Sequence, residues 1–509
     1  MEVLNYFLGA LKELCSVTGF IYVVIGTLAG VVLGAIPGLG SSTLMVVLLP
    51  ISYRMSPTMA MALFISITIG GMSGGCIGSI LLGIPGTASS LVTVFDGYEF
   101  TKQGHPSRAL SNAVFANFLG NVPSVILAIA CCKVVAAWAV KLGPWEYAAL
   151  CFCAILMVVG LSKGNMVKSM VGVGLAIFLA SIGEDPISAK GRFILFGRME
   201  FLDGLNIISV MLGLFAAKII LLEYARQEKT ENAPDIKVEG FKFPAKDLWA
   251  NGWLIVRSWV TGAVIGFLPG LGGPVASVMA YSNEKMMSKE KEKWGHGHIG
   301  GVLAAETSNN AAIGGALIPL LALGIPGDAA GVQFIAALNI QGIQVGPMFM
   351  REQPQIVYMI FVGALLSGIV VLLYETLGMK TFPALLKIPY HYLYSAVIML
   401  AFIGAYMSTN SFFGLIVALF FCILGVLFDC FGIPSLPFLM TFILSPMLEI
   451  NIRRGMSYSA NGLKEFFSFA RHPISAFFII LGILVLVFGF LSPVLKKAFK
   501  KDKKAEAAE

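Results

Sequence analysis

Long apolar stretches recur along this 509-residue chain, from its N-terminal region to Val494. Each runs for about 18 to 25 residues, and a helix needs about 20 apolar residues to cross the hydrocarbon core of a bilayer. The stretch 476–491 shows no polar face at the helical period, as a helix on a soluble protein would. Only 12% of the residues are charged, against about 25% in soluble domains. These observations predict an all-α polytopic membrane protein with about ten to twelve spans, including re-entrant or broken helices.

A charged segment divides the chain into two parts. Acidic and basic residues crowd around Pro234 and Pro244, so this segment should lie outside the bilayer. We predict a first membrane repeat at 1–222, a charged linker at 223–250, and a second membrane repeat with C-terminal spans at 251–495. The lysine-rich segment 496–509 is typical of a cytoplasmic tail after a last span. It carries part of the net charge of +7, so nucleic acid is not an expected partner.

Two short sequence words occur in both halves of the chain. G-x-x-P-G-L-G occupies 34–40 and 266–272, and L-G-I-P-G occupies 82–86 and 323–327. A single Pro-Gly usually only kinks or packs a membrane helix, whereas four in matched order indicate an internal repeat. We expect the two repeats to have inverted topology. The basic residues in the loops do not show on which side of the membrane each loop lies.

The Pro-Gly words predict a binding site for a small anion. Proline ends a helix and glycine tolerates unusual backbone angles, so the helices should break there. A broken backbone at membrane depth leaves NH and C=O groups that lipid cannot satisfy. A helix that restarts offers its NH groups to a carboxylate, and a helix that ends offers carbonyls to Na⁺. The backbone candidates are Pro37, Gly38, Gly40, Gly86, Pro269, Gly270, Gly272, Gly273 and Gly327.

Uncharged polar side chains accompany these breaks. Any single hydroxyl is more easily explained as a helix cap or as a bond to a carbonyl within its own helix. As a set beside repeated breaks, these side chains become candidate substrate ligands. They are Ser41, Ser42, Thr43, Thr87, Ser89, Asn309 and Asn310. We expect any bound Na⁺ at Gly38, Gly270 and Asn310.

The second half contains two candidate acidic residues: Glu306 interrupts a run of small residues from Gly300 to Pro319, and Asp328 follows directly after Gly327. Ionisable residues at membrane depth are costly, so they are functional candidates by default. Either residue could coordinate Na⁺ or carry a proton. Two alternatives stay open: Glu306 could lie near the membrane interface, and Asp328 could be a helix N-cap.

These residues together resemble the large membrane subunit of the tripartite tricarboxylate transporter family. The resemblance lies in 34–40, 70–86, 95–98, 102–104, 266–273, Tyr281, 300–302, Glu306, Asn309, Asn310 and 323–327. It implies a multi-pass permease of the bacterial inner membrane that imports a small carboxylate by symport. Citrate, or a related dicarboxylate or aromatic carboxylate, is the substrate class that the resemblance implies.

The resemblance also implies partners and an energy source. A periplasmic binding protein would deliver the substrate, and a small four-span membrane subunit would complete the complex. The coupling ion would be Na⁺ or H⁺, with no other cofactor. A homodimer is compatible with the sequence.

Two other classes of membrane protein compete with a carrier as interpretations of this sequence. Glycine-rich interruptions also occur in selectivity filters, so an anion channel or other pore is the alternative. An enzyme is not expected, because neither His391 nor His472 lies beside a repeated word and no paired metal-ligand pattern is present. The chain also lacks the G-x-x-x-x-G-K-[ST] phosphate loop of an ATP-driven engine.

Overall fold

A computed structural model describes residues 2–36, 40–162, 165–185, 187–188, 190–194, 197–226, 236–346, 348–386, 390–459, 462–468 and 470–506. Pro37 and Gly38, at the first break, therefore lie outside the described residues, as does the Na⁺ position predicted at Gly38.

The first half is built from α-helices and one small hairpin. The helices are α1 (Glu2–Leu14), α2 (Val17–Ala35), α3 (Gly40–Leu48), α4 (Pro57–Leu82), α5 (Thr93–Lys102), α6 (Pro106–Ala139), α7 (Pro144–Gly160), α8 (Met166–Ala180), α9 (Ile207–Met211) and α10 (Lys218–Arg226). Short 3-10 helices lie at Leu49–Arg54, Ala88–Ser90 and Met199–Phe201, and a π-helical turn lies at Leu212–Ala217. Strands β1 (Gly183–Glu184) and β2 (Gly191–Arg192) pair antiparallel.

The second half is also helical. Its helices are α11 (Ala245–Ala250), α12 (Gly252–Phe267), α13 (Gly272–Met287), α14 (Ile299–Leu323), α15 (Ala329–Ile340), α16 (Phe349–Glu352), α17 (Pro354–Leu377), α18 (Phe382–Leu385), α19 (Tyr390–Thr409), α20 (Phe412–Phe431), α21 (Ser435–Tyr458) and α22 (Pro473–Glu506). Further 3-10 helices lie at Lys291–Lys293, Met379–Thr381 and Gly462–Phe467.

Seven of these helices are long and apolar enough to cross a membrane, and six shorter apolar helices accompany them within the described part of the chain. The all-α polytopic class is therefore confirmed. The count of ten to twelve spans stays a prediction, because length and composition do not decide which shorter helices cross the bilayer.

Corresponding helix pairs pack closely in the two halves. Glycines let the backbones approach, as is usual between membrane helices. Residue numbers rise together along each contact, so α2 runs parallel to α4 and α12 runs parallel to α14. The contacts pair Gly26 with Leu63, Gly30 with Ile67, Gly34 with Gly71, Gly262 with Ser308 and Gly266 with Ala312.

Helices α4 and α14 form the centre of the molecule, and both are buried over nearly their whole length. They cross where Ser73 Oγ donates a hydrogen bond to Asn310 Oδ1 over 3.1 Å. Near the end of α4, the Ile80 carbonyl accepts a hydrogen bond from α5, and Asp96 of α5 lies against Gly301 at the start of α14. The two helices are therefore antiparallel. This is the arrangement that an inverted repeat would produce, although the repeat itself stays a prediction.

The described end of the linker, residues 236–250, packs on the membrane helices. The backbone NH groups of Glu239 and Lys242 donate to the hydroxyls of Ser107 and Ser111 on α6. Phe115 of α6 contacts two linker phenylalanines. The linker thus covers one end of α6. At the other end of the chain, α22 continues through the predicted tail as far as Glu506.

Candidate functional site

The two halves share the same backbone conformation at their breaks. Helix α4 is capped at its C-terminus by Gly83 with a φ of 72°, and α14 is capped by Gly324 with a φ of 73°. The helices that restart after the other two breaks begin at Gly40 and Gly272, with φ of 58° and 54°. These left-handed angles favour glycine. The repeated words therefore specify helix ends and restarts, as the sequence predicts.

In the second half, the two breaks contact each other. The NH of Gly270 donates to the carbonyl of Gly327 over 2.7 Å. Gly272 lies against Asp328, where a Cβ would come within 2.7 Å of the Asp328 Cβ. Pro269 lies in the turn between α12 and α13. This half thus brings together most of its predicted backbone candidates.

In the first half, Gly86 lies directly against the carbonyl of Gly34, so these two breaks also meet. Ser41 packs on Gly71 of α4. The hydroxyls of Thr87 and Ser90 are 3.2 Å apart and both face Gly75. For Ser41, Ser42 and Thr43, the described residues provide no hydrogen-bond partner to the hydroxyls. Their predicted role as ligands stays a prediction.

Residues of both halves meet at one point, the central site, which we define by Ser89, Gly273 and Asn309. A Cβ at Gly273 would collide with the Asn309 amide and come within 2.7 Å of the Ser89 hydroxyl. Ser89 is 3% exposed and Asn309 is fully buried. The Asn309 amide faces the Glu306 side chain, but neither of its atoms completes a hydrogen bond within the described part of the chain. A buried amide without a partner is costly, so this group is available to a ligand.

Glu306 lies one turn before Asn309 and is fully buried. Thr93 of α5 donates a hydrogen bond to its Oε1, whereas Oε2 has no partner among the described residues. Since Glu306 begins the third turn of α14, about 10 Å along the axis from Ile299, it lies inside the bundle rather than at the helix entrance.

Asn310 of α14 is hydrogen-bonded to both α4 and α6 at the helix crossing. Its Nδ2 donates to Asn117 Oδ1 of α6 over 2.8 Å and to the Glu306 carbonyl over 3.2 Å. Its Oδ1 accepts from Ser73. With its amide already bonded on both sides, Asn310 has a structural role in this conformation, in contrast to Asn309.

Asp328 caps helix α15. Its Oδ1 accepts a hydrogen bond from the backbone NH of Gly331 over 2.8 Å, which is the N-cap alternative that the sequence left open. The cap uses only Oδ1, and the second carboxylate oxygen faces Gly272. This contact therefore does not test a role of Asp328 in ion coupling.

Sequence reasoning missed three polar residues that the structure places around the site. Asp96 binds three backbone NH groups of the loop before α14, Asn117 bonds Asn310, and Glu375 of α17 is fully buried. A search for acidic residues in apolar runs would have found Glu375. Asn117 and Asp96 show no comparable signal outside the family resemblance.

The electrostatics of the interior are one-sided. No lysine or arginine side chain is buried in the described part of the chain, whereas five carboxylates are. Three have strong partners: Asp96 has its backbone donors, Glu284 pairs with Arg257, and Asp185 pairs with Arg453. Glu306 and Glu375 have no basic partner among the residues that the structure describes. An anion entering here would have to be received by amides, hydroxyls and accompanying cations.

Comparison with known sequences identifies the family. The profile of the tripartite tricarboxylate transporter TctA family matches residues 20–440. The chain belongs to this family. It is accordingly a multi-pass membrane component of a tripartite transporter, in a family of transporters rather than enzymes, and this implies a binding protein and a small subunit as partners.

Two relatives from Agrobacterium vitis are similar to this family member. The chain is 31% identical over 478 residues to an uncharacterized 52.8 kDa protein in the TAR-I ttuC' 3' region, covering 94% of each chain. It is 33% identical over 236 residues to an uncharacterized protein in the TAR-II ttuC' 3' region, covering 46% of this chain and 96% of the relative. No solved structure matches the chain.

Proposed function

We propose that this chain carries a small carboxylate, such as citrate or a related dicarboxylate or aromatic carboxylate, across the bacterial inner membrane by ion-coupled uptake. A periplasmic binding protein would deliver the substrate, and a small four-span subunit would complete the complex. The meeting of Ser89, Gly273 and Asn309 carries the proposal, because it brings uncharged hydrogen-bond groups of both halves to one buried point.

The charge balance supports ion coupling. The site contains no buried basic side chain in the described residues but has Glu306 beside it. Bringing a further negative charge into this interior without a cation would cost several kcal/mol. A cation, Na⁺ or H⁺, that enters with the substrate removes this cost.

Thermal unfolding of the purified chain tests the proposal. Citrate, succinate and benzoate are each added with and without Na⁺, at pH 6 and pH 8. A ligand at 100 times its dissociation constant stabilises the folded state by about 2.7 kcal/mol. We expect one carboxylate to raise the melting temperature, and to do so more with Na⁺ or at the lower pH.

A matched pair of variants shows whether the stabilisation comes from the central site. Gly273→Ala places a methyl group against Asn309 and Ser89, whereas Gly174→Ala on α8 places one in open space. The first variant should lose the carboxylate-dependent shift and the second should keep it. Retention of the shift in Gly273→Ala contradicts the site. Ohmic single-channel currents from the wild-type chain would favour a pore over a carrier.

A further inference from the structure

A second buried carboxyl group lies near the central site on a different helix. Glu375, on the last turns of α17, is fully buried, and neither carboxyl oxygen has a hydrogen-bond partner among the described residues. Glu306 of α14 lies within electrostatic range of it. Natural proteins rarely leave a buried carboxyl group without partners, so Glu375 calls for a functional explanation.

Asn117 of α6 lies between Glu375 and the turn of α14 that carries Glu306. Its Oδ1 accepts from Asn310, whose Nδ2 also bonds the Glu306 carbonyl. Its Nδ2 makes two long contacts, 3.4 Å to the Ser73 carbonyl and 3.8 Å to Cys76 Sγ, and faces Glu375 without completing a hydrogen bond to it. This NH₂ group can therefore donate to Glu375 when that carboxyl group is ionised.

A buried amide without a partner among the described residues lies next to Asn117 on α6. Asn121 follows Asn117 by one turn of α6, is 2% exposed, and has no hydrogen-bond partner for either amide atom within the described residues. Its Oδ1 lies near Gly368 of α17, where a Cβ would come within 3.0 Å of it. The surface between α6 and α17 thus contains unsatisfied polar groups on both helices.

Among the described residues, the groups that face Glu375 include no cation. They are Glu306 on α14, Cys76 on α4, Asn117 on α6 and the neighbouring Tyr374. Two ionised carboxylates in such an interior would cost several kcal/mol each, so each needs a proton or a metal cation. A proton needs only one oxygen atom, which Glu375 supplies.

Glu375 lies near the end of α17 that is close to the linker. The residue lies two positions before the end of α17 at Leu377, and the following turn contacts the linker, where Gly240 packs on the Lys380 side chain. Glu375 therefore lies between Glu306 and the face of the molecule that the linker covers.

We propose that Glu375 is a second proton-carrying group and that Glu306 and Glu375 form a proton relay from the central site to the linker side. In each transfer one O–H bond breaks and one forms. The Glu306 carboxyl becomes a carboxylate as the Glu375 carboxylate becomes a carboxyl, and Glu375 then releases its proton to water on the linker side. The inference rests on the proposed function, and it selects H⁺ as the coupling ion.

Proteoliposomes that contain the chain with its small subunit, a pH-sensitive dye and externally added binding protein test the relay. In the wild type, uptake of labelled citrate should acidify the lumen. Glu375→Gln, which preserves shape and removes the titrating oxygen, should reduce net uptake and acidification by about 100-fold. It should retain exchange of external labelled citrate for internal citrate at equal pH, because exchange requires no net proton release.

Glu352→Gln is the matched control, because Glu352 is an exposed carboxyl group on the short helix before α17. It should behave as the wild type does. Wild-type rates of net uptake and lumen acidification in Glu375→Gln overturn the relay. Loss of exchange together with uptake also overturns it, since Glu375 would then act in substrate movement itself.

A substrate-independent measurement separates this inference from the proposed function. The infrared C=O stretching band of protonated carboxyl groups is recorded on the purified chain in H₂O and D₂O. Glu375→Gln should remove part of this band. An unchanged band overturns the relay even if citrate proves to be transported. If neither citrate, succinate nor benzoate is transported while the band changes as expected, the substrate assignment fails and the protonated Glu375 remains.

Discussion

The carboxylate of Asp96 on α5 accepts a hydrogen bond from the hydroxyl of Tyr281 on α13 over 2.8 Å, joining the first half of the chain to the second. The other oxygen of Asp96 accepts from the backbone NH groups of Gly295, Gly297 and His298 at 2.8, 3.0 and 2.7 Å. Four donors converge on one fully buried carboxylate. The loop before α14 is thus held in place by a residue from the other half.

Asp96→Asn should destabilise the protein strongly. The substitution removes the charge from several charge-assisted hydrogen bonds and turns an NH₂ group towards donors, at a cost of about 2 to 3 kcal/mol. Thermal unfolding in detergent, followed by tryptophan fluorescence, measures the loss.

Glu99→Gln provides the control on the same helix. Glu99 forms a surface ion pair with Lys102, and such pairs contribute about 1 kcal/mol or less. If the two variants melt at the same temperature, Asp96 does not hold the halves together.

His298 should make the stability of α14 depend on pH. Its Nδ1 accepts a hydrogen bond from the NH of Gly300 and so caps the helix, which requires a neutral ring. Burial lowers the pKa of His298 below its ordinary value; nearby Asp96 and Glu290 oppose this shift and Lys293 adds to it. The unfolded chain therefore binds a proton more readily than the folded chain.

As the pH falls below about 6.5, the folded state should lose about 1 kcal/mol, the value of a helix cap. The loss should end once the pH has passed below the pKa of the folded state. Melting temperatures between pH 8 and pH 5 test this. His298→Asn, which keeps a capping acceptor that does not titrate, should flatten the profile, whereas replacement of the exposed His296 by Asn should leave its slope as in the wild type.

The sequence predicts the helix ends better than it predicts their partners. Pro-Gly words act within a few residues, so the end of α4 at Leu82 and the restart of α13 at Gly272 follow from local chemistry. The binding of Asp96 to the loop before α14 could not be predicted this way. It depends on left-handed angles at Gly295 and Gly297 in a loop about two hundred residues away along the chain.

The same distinction between local features and distant contacts applies to the candidate site. That Asn309 and Asn310 are candidate ligands is legible from the sequence, because they interrupt a run of small residues at 300–319. Which of the two is free is not, because successive residues on a helix point about 100° apart and their partners come from other helices. Glu375 was missed because it ends an apolar run, where an acidic residue is equally well explained by the interface.

Gly270→Ala should abolish carboxylate uptake while the protein remains inserted in the membrane. Gly270 has a φ of 80°, and a side chain there would collide with Val158 of α7 and disturb the hydrogen bond to Gly327. Uptake into cells, normalised to the amount of protein in the membrane fraction, measures the effect.

Gly104→Ala separates backbone strain from collision. Gly104 has nearly the same φ, 79°, but no atom near a Cβ position. Both substitutions cost about 1 kcal/mol of backbone strain, so only the contacts differ. Equal uptake by the two variants would remove the Gly270–Gly327 contact from the binding site.

Asn309 and Asn310 are neighbours in the sequence but should respond oppositely to replacement by alanine. Asn310→Ala removes the hydrogen bonds to Asn117 and Ser73 and leaves buried polar groups unpaired, so it should destabilise the protein by about 1 to 3 kcal/mol. Asn309→Ala removes an amide that has no partner among the described residues, so the melting temperature should change little.

Carboxylate binding should show the reverse order. If the Asn309 amide donates to the substrate, its loss removes a hydrogen bond to a charged group, about 1.5 to 3 kcal/mol, or about 10- to 100-fold in affinity. Titration of each variant with citrate, succinate and benzoate in the thermal assay measures both quantities on one sample. If Asn309→Ala binds the carboxylate as the wild type does, the Asn309 amide does not bind the substrate and Asn309 is not part of the site.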